Sequence, residues 1–136
     1  MTDLVKSMNV SAAGMKVQGT RLRVISENVA NADSTALTPG GEPYRRKLVT
    51  FENVFNRQLG AEVVRVRDIT RDTSDFQQRY EPGHPAADAN GYVKTSNVNT
   101  LVEITDMREA ERSYEANMRV LRASRGMLER TIDLLR

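Results

Sequence analysis

The sequence predicts an α+β fold in which long N- and C-terminal helices pair as a coiled coil and flank a small β-rich middle segment. Two observations carry this prediction: a heptad pattern in each terminal segment, and a segregation of residue types along the chain. All six methionines lie in the terminal segments, whereas six of the seven aromatics lie between Tyr44 and Tyr92. We therefore expect a helix over residues 1–31, a loop and β-rich segment over 32–99, and a coiled-coil helix over 100–136.

The C-terminal segment has the stronger heptad pattern. Thr100 and Glu103 fit a capping box, which predicts that the helix begins there. From that point to the last residue there is no proline and one glycine, Gly126. One predicted seam position carries Ile104, Glu111, Met118, Arg125 and Ile132, and the other carries Met107, Tyr114, Leu121, Leu128 and Leu135. Such a helix would be on the order of 50 Å long, so it needs partners to cover it.

Two of these seam residues are charged, namely Glu111 and Arg125. A charge is costly in a dry interior unless it is paired. Each residue either sits at a solvent-lapped position of a loose helix pair or forms an inter-subunit ion pair that sets register.

The N-terminal segment repeats the design more weakly. Its apolar residues recur at heptad spacing on one side: Leu4, Met8, Ala12, Met15, Leu22, Ile25 and Val29. Gly14 and Gly19 each cost roughly 1 kcal/mol of helix stability relative to alanine, but small side chains let another backbone come close. The pattern fits a loosely built amphipathic helix and a helix packed on several neighbours equally well.

The middle segment begins with turn chemistry and continues with strands. Pro39 presets φ for a turn, and Gly40 accepts a positive φ. Valine-rich stretches with alternating charge predict strands over 44–51 and 62–69, and 76–80 can add a third. A hairpin or small sheet between the helices is expected.

No catalytic or metal-binding constellation is found, so we predict no enzyme activity, no cofactor and no metal. The chain has no cysteine, and its one histidine, His84, sits in a turn between glycine and proline. The segment around Gly91 resembles a calcium loop, but Ala86 and Asn97 stand where acidic ligands are required. No phosphate-binding glycine loop occurs, because Gly41 is followed by Glu42.

The charge balance argues against nucleic acid, because 20 basic residues face 18 acidic ones for a net charge of +2. The triplet Arg45-Arg46-Lys47 is either a solvated strand face or a docking surface for an acidic partner. No apolar run approaches the ~18 residues of a membrane span, so we expect no membrane insertion. The N-terminus shows no apolar core of a cleavable signal peptide.

Several motifs resemble a known family. Ser11-Ala12-Ala13-Gly14-Met15 and a helix that ends in Asn28-Val29-Ala30-Asn31 are similar to the N-terminal signature of flagellar rod, hook and hook-associated axial proteins. Further motifs are similar to proximal-rod members of that family. The residues that carry the resemblance are Asn28, Ala30, Asn31, Pro39, Gly40, Gly41, Tyr44, His84, Pro85, Asn90, Gly91, Tyr92, Asn97 and Asn99.

The resemblance implies a structural subunit of the flagellar basal-body rod. Such subunits pair their terminal helices in an inner layer and stack helically with copies of themselves and other rod proteins. It further implies torque transmission across the periplasm, export by the flagellar type III apparatus without a cleaved signal peptide, and surrounding basal-body rings. The assembly interface would then include the apolar heptad residues of both helices.

Two alternatives remain open at this stage. A paralogous rod protein would share the terminal signatures but differ in the middle segment. A coiled-coil module that binds nucleic acid or membrane would need a basic stripe on one helix face, but Glu109, Glu111 and Glu115 interrupt the arginines of the C-terminal helix.

Overall fold

The computed structural model of the chain describes residues 2–136. Met1, the first residue of the predicted N-terminal segment, lies outside them. The predicted α+β class is confirmed. The elements in chain order are α1 (Thr2–Ala30), β1 (Lys47–Asn56), β2 (Ala61–Arg71), β3 (Gln77–Tyr80), β4 (Tyr92–Thr95) and α2 (Thr100–Leu134).

The chain divides into two compact units, each built from parts of both helices. The helix–hairpin unit comprises Met1–Leu22, Thr50–Asp68 and Arg108–Arg136. The loop–sheet unit comprises Arg23–Val49 and Ile69–Met107. No helix of residues 2–136 combines the length and the apolar character that crossing a membrane requires.

In the helix–hairpin unit, α1 and α2 pair antiparallel. The Ser7 and Ser124 hydroxyls lie 3.5 Å apart. Seven residues further along α1, Gly14 faces Asn117, and a Cβ built on that glycine would lie 2.9 Å from the Asn117 Nδ2. Seven residues forward on α1 thus correspond to seven residues back on α2, which is the spacing of a coiled coil.

Small side chains occupy the centre of this helix pair. Ser11, Ala110 and Ser124 are buried, whereas Ile104 and Ile132 are 38% and 46% exposed. The predicted seam position that carries these isoleucines thus lies one residue away from the buried small residues of α2, and its role as an assembly interface stays a prediction. A heptad assignment based on hydrophobicity overlooks small residues. Such residues are nevertheless readily buried between helices, because they let two backbones approach closely.

The other predicted seam position of α2 is better covered. Its first four members are half-buried, and the fifth, Leu135, is 74% exposed. The four are Met107, Tyr114, Leu121 and Leu128. Glu111 and Arg125 are exposed, and Arg125 pairs within the helix with Glu129 at 2.9 Å.

The start of α2 differs in mechanism from the predicted capping box. Asn99 is the N-cap, because its side-chain Oδ1 accepts the backbone N–H groups of Leu101 (3.1 Å) and Val102 (3.4 Å). The predicted partner Glu103 does not reach back to cap the helix. Its carboxylate is buried instead, as described below.

The middle segment forms two hairpins, of which the sequence predicts the first and half of the second. β1 pairs with β2, and β3 pairs with β4. β1 begins later and runs longer than expected, and β4 was not predicted as a strand. β4 has only four residues, and its burial alternates because Val93 and Thr95 point inward. So short a strand carries too little pattern to detect without its partner.

The β3–β4 hairpin encloses the small apolar core of the loop–sheet unit, formed by Ala36, Ala86 and Val93. Gly91 closes the hairpin with a φ of +84°, and a Cβ there would lie 3.0 Å from the Tyr80 ring. Only glycine meets both demands. The predicted positive φ at Gly40 is also observed, at +81°.

Candidate functional site

A buried polar network in the loop–sheet unit is the most specific feature of the molecule. Its centre is the carboxylate of Glu103, which is 1% exposed. Asn28 donates to this carboxylate from Nδ2 at 3.1 Å, and Arg46 forms a hydrogen-bonded ion pair with it through Nε. These bonds tie together the end of α1, the start of α2 and the chain leading into β1. A charged group this deeply buried is tolerated only when paired in this way.

Asn28 is the second hub, and it uses all of its polar atoms. It is 1% exposed. Besides Glu103, its Nδ2 donates to the carbonyl of Lys47 at 2.9 Å. Its Oδ1 accepts the Tyr44 hydroxyl at 2.7 Å and the backbone N–H of Lys47 at 3.0 Å. An asparagine side chain can therefore do here what no apolar residue could, which is to hold an extended strand against a helix end.

Arg46 links the network to its carboxylate neighbours. Its guanidinium lies 3.5 Å from Asp72 and 3.5 Å from Asp106. Burial alone would lower the pKa of Arg46, but the hydrogen bonds and negative charges of Glu103 and Asp72 raise it above its ordinary value. Asn97 completes the set, because its Oδ1 accepts the Arg46 backbone N–H at 2.7 Å.

The basic triplet of the sequence is thus divided and does not form one patch of three cations. Arg46 is taken up by the network. Lys47 donates to Glu27 at 2.9 Å, and this hydrogen bond lowers the pKa of the Glu27 carboxyl. Arg45 lies over the ring of Phe76, 4.2 Å from its centroid. The interpretation as a plain solvated strand face is wrong, since each cation has a specific environment.

Only some of the predicted family-motif residues lie close together in the structure. Asn28, Tyr44 and Asn97 belong to the network, and Asn99 caps α2 close to it. Ala30 and Asn31 terminate α1, where the Asn31 side chain donates to the carbonyl of Glu27. The motif at the end of α1 therefore has a structural explanation in the helix stop and the strand that Asn28 holds.

The remaining motif residues shape loops. Pro39, Gly40 and Gly41 form the turn after α1. His84 Nδ1 accepts the backbone N–H of Ala86 at 3.0 Å, as expected for a turn histidine. The others, Pro85, Asn90, Gly91 and Tyr92, belong to the loop between β3 and β4 and to the first residue of β4.

Sequence reasoning missed the network roles of three residues: the half-buried cation Arg46, and the carboxylates Asp72 and Glu103. The available signal was the position of Glu103, seven residues before the buried Ala110 on α2. A carboxylate at a buried heptad position needs a cationic partner, so the position of Glu103 could have indicated an ion pair. Among residues 2–136, no group of histidine, cysteine, aspartate or glutamate side chains could hold a metal ion.

Of the predicted interface residues, those of α1 are mostly half-buried, with Ile25 buried and Ala12 exposed. The half-buried ones are Leu4, Met8, Met15, Leu22 and Val29. On α2, Met118 is half-buried, and Val120, Met127 and Leu134 add large exposed apolar surface that was not predicted (45%, 55% and 87%).

Paired terminal helices, a β-rich middle and a polar network at their junction suit a structural subunit, and comparison with known proteins defines the class. A family model described as flagellar basal body rod FlgEFG protein, C-terminal, matches residues 89–134. This segment covers β4 and α2, and with them Asn97, Asn99 and Glu103.

The full chain is similar to curated relatives. It is 51% identical over 136 residues to the flagellar basal-body rod protein FlgC of Agrobacterium fabrum, with 100% of this chain and 98% of that protein covered. It is 40% identical to FlgC of Bacillus subtilis (94% and 95% covered) and 38% identical to FlgC of Escherichia coli O157:H7 (96% and 97% covered). The chain belongs to the FlgC family of flagellar basal-body rod proteins.

Proposed function

We propose that this chain is a structural subunit of the proximal flagellar rod that assembles helically with copies of itself and with other rod proteins, and that the rod transmits motor torque across the periplasm. Family membership over the whole chain carries the proposal. A shaft under torque needs subunits that resist deformation, and the saturated network around Glu103 supplies a stiff junction.

The exposed apolar surface of α2 supports an assembly role. Val120, Met127 and Leu134 recur on one side of the helix, and each leaves a large apolar side chain to solvent. Such surface on a single chain marks a contact with another protein. We propose that this surface and the exposed or half-buried heptad residues, including Ile104 and Ile132, are covered by neighbouring subunits. A head-to-tail arrangement of these contacts would build an open helix rather than a closed ring.

The cellular setting follows from the same proposal. The subunit would leave the cytoplasm through the flagellar type III export apparatus without a cleaved signal peptide, and it would end in the periplasmic rod inside the basal-body rings. The proposed role requires no catalysis. No feature of the described residues favours nucleic-acid binding: Glu109, Glu115 and Glu129 on α2 each lie within 4 Å of an arginine.

The test compares two substitutions at adjacent residues of α2 in a strain that lacks the native gene. Leu121→Asp puts an unpaired charge at a half-buried seam position, at a cost of several kcal/mol if assembly buries it. Arg122→Asp places the same aspartate at an exposed neighbour and changes the charge by two units instead of one, so it is the more severe change of charge. We expect Leu121→Asp, and likewise Leu128→Asp, to abolish swimming and to be missing from purified basal bodies, while Arg122→Asp supports both.

Deletion of the gene should abolish rod assembly in the same strain, and the wild-type gene should restore it. The proposal would be refuted if wild-type chain were absent from purified basal bodies or if cells without it built normal rods. Normal flagella with Leu121→Asp would instead show that the α2 seam is not part of the assembly contact.

A further inference from the structure

A cavity of about 340 Å³ on the loop–sheet unit is left unused by the proposed function. Its lining comes from the chain that leads into β1, from the first residue of β1 and from the end of β2: Glu42, Pro43, Tyr44, Arg45, Lys47 and Arg71. Three of these residues are cations and one is an acid. The cavity thus includes Tyr44, which ends the family motif that begins at Pro39, together with two basic residues that follow it, Arg45 and Lys47.

The acids near the cavity do not neutralise its three cations. Lys47 pairs with Glu27 at 2.9 Å, but the same carboxylate also pairs with Arg23 at 2.9 Å, so it does not offset Lys47 alone. The nearest carboxylate oxygen of Glu42 is 3.9 Å from the Arg45 guanidinium, and the Glu42 side chain is 70% exposed. Arg45 donates its close hydrogen bonds to neutral backbone carbonyls, those of Asp72 at 2.9 Å and Ser74 at 3.1 Å. With Arg23 counted, four cations face the two carboxylates of Glu27 and Glu42, so positive charge is in excess around the cavity.

Arg71 is the cation with room for a ligand. It is exposed at the end of β2, and its guanidinium has no ion-pair or hydrogen-bond partner in the part of the chain that the structure describes, residues 2–136. Its charge nevertheless acts on the cavity wall. Burial raises the pKa of the Tyr44 phenol, with Glu27 and Glu103 adding to the effect, and the positive charge of Arg71 opposes them.

We propose that this cavity binds one carboxylate, that of an aspartate or glutamate side chain on a neighbouring rod subunit, with Arg71 as the principal ligand. The inference rests on the proposed function, and it specifies the chemistry of one assembly contact. A guanidinium offers two parallel N–H donors that match the two oxygens of a carboxylate, which gives the contact direction as well as strength.

The proposed function favours a carboxylate over phosphate, because aspartate and glutamate are the anionic side chains that a neighbouring protein subunit can offer. The Tyr44 hydroxyl is already donated to Asn28 at 2.7 Å, so it cannot serve as an additional donor to a larger anion.

The first test uses the full chain and small anions as probes. The Nε–Hε NMR signals of arginine are followed while glutarate, a dicarboxylate, is added, with sodium chloride at equal ionic strength as reference. We expect the Arg71 signal to shift saturably, with a dissociation constant on the order of 1 mM. Arg71→Gln should weaken binding about fivefold as reported by the remaining Arg45 signal, and Arg71→Lys should weaken it less because it keeps the charge.

Arg67→Gln is the matched control, since Arg67 is also an exposed arginine of β2 but does not line the cavity. It should bind glutarate like the wild type. The proposal is overturned if glutarate produces no more shift than chloride, if Arg71→Gln binds as tightly as the wild type, or if inorganic phosphate saturates the site and glutarate does not.

The second test decides between a side chain and a free carboxylate as the source of the ligand. In cells, Arg71→Glu should lower the amount of chain recovered in purified basal bodies several-fold, whereas Arg67→Glu should not. If glutarate binds but Arg71→Glu assembles normally, the neighbouring-subunit source is wrong. Absence of the wild-type chain from basal bodies would instead refute the proposed function, an outcome that the glutarate titration does not depend on.

Discussion

Each of the two units is stabilised internally by a different kind of interaction. In the loop–sheet unit, Glu103, Asn28 and Arg46 satisfy one another through directed hydrogen bonds. In the helix–hairpin unit, the helices meet through small residues such as Gly14, with a long contact of 3.5 Å between two serine hydroxyls. The side-chain oxygen Oε1 of Gln18 is buried there without a hydrogen-bond partner among the described residues.

The two kinds of interaction have different effects. Directed hydrogen bonds fix how strands and helix ends are arranged, whereas close packing only brings two helices together. Directed bonds define one arrangement of strand and helix ends, because each donor has one acceptor at the right distance. Close packing of small residues brings backbones together but buries little apolar area per residue. The helix–hairpin unit also leaves Val120, Met127 and Leu134 exposed. We therefore expect the loop–sheet unit to be stable by its own contacts and the helix–hairpin unit to gain most from neighbours.

The largest expected effect compares two glutamates of α2 that each pair with an arginine. Glu103→Ala leaves the half-buried Arg46 with only its 3.5 Å contacts to Asp72 and Asp106, so we expect the free energy of unfolding to fall by about 3 kcal/mol. Glu109→Ala removes a 3.4 Å pair with Arg21 in which the glutamate is 67% exposed. That change should cost less than about 1 kcal/mol. Urea unfolding followed by circular dichroism measures both, and equal losses would contradict the proposed difference between the units.

Alanine substitutions at two glycines of α1 should change the stability of the chain by intermediate amounts and in opposite directions. Gly14→Ala must displace the Asn117 side chain, which is held by a 3.0 Å hydrogen bond to the Ser113 carbonyl. The displacement should outweigh the gain in helix propensity and leave a net loss of about 1 kcal/mol. Gly19→Ala meets no atom within 4 Å, so it should stabilise the chain by about 0.5–1 kcal/mol.

Thermal unfolding of the two alanine variants checks this prediction. A stabilised Gly14→Ala variant would show that the helices are not packed closely at that point. Replacing Asn117 by alanine in the same chain should recover the loss, because the obstructing amide is then gone.

The smallest expected effect is a pH dependence of the loop–sheet unit. The Ser74 hydroxyl and backbone N–H donate to Asp72, and with Arg46 they lower the pKa of its carboxyl from an ordinary 3.8. A lowered folded pKa means that the stabilisation is complete above the ordinary value and is lost as the pH falls through the folded one. Stability should therefore decrease as the pH falls below about 4.

Ser74→Ala should flatten this dependence by returning the Asp72 pKa toward its ordinary value. Unfolding in urea at several pH values within this window measures the slope for the wild type and the variant. Asp75→Asn, at an exposed neighbouring residue, serves as the control. An identical slope in the wild type and in Ser74→Ala would show that another carboxylate governs the acid response.

Much of the fold could be predicted from the sequence, and the failures have a common origin. Both helices lie within two residues of their predicted bounds, since heptad patterns over many turns are local and redundant. The N-cap of α2 was placed one residue late, because Thr100 and Asn99 are both good caps and only the hydrogen-bond geometry distinguishes them. The short strand β4 was missed because it exists only through its pairing with β3.

The sequence by itself determined the helices, the turn that needs Gly40, and the family signature, since these depend on neighbours along the chain. Only the tertiary structure decided what Glu103 does. Its partners Asn28 and Arg46 lie 75 and 57 residues away in sequence. Whether a carboxylate caps a helix, faces solvent or is buried depends on which groups the folded chain brings within hydrogen-bond distance. No local sequence pattern contains those distances.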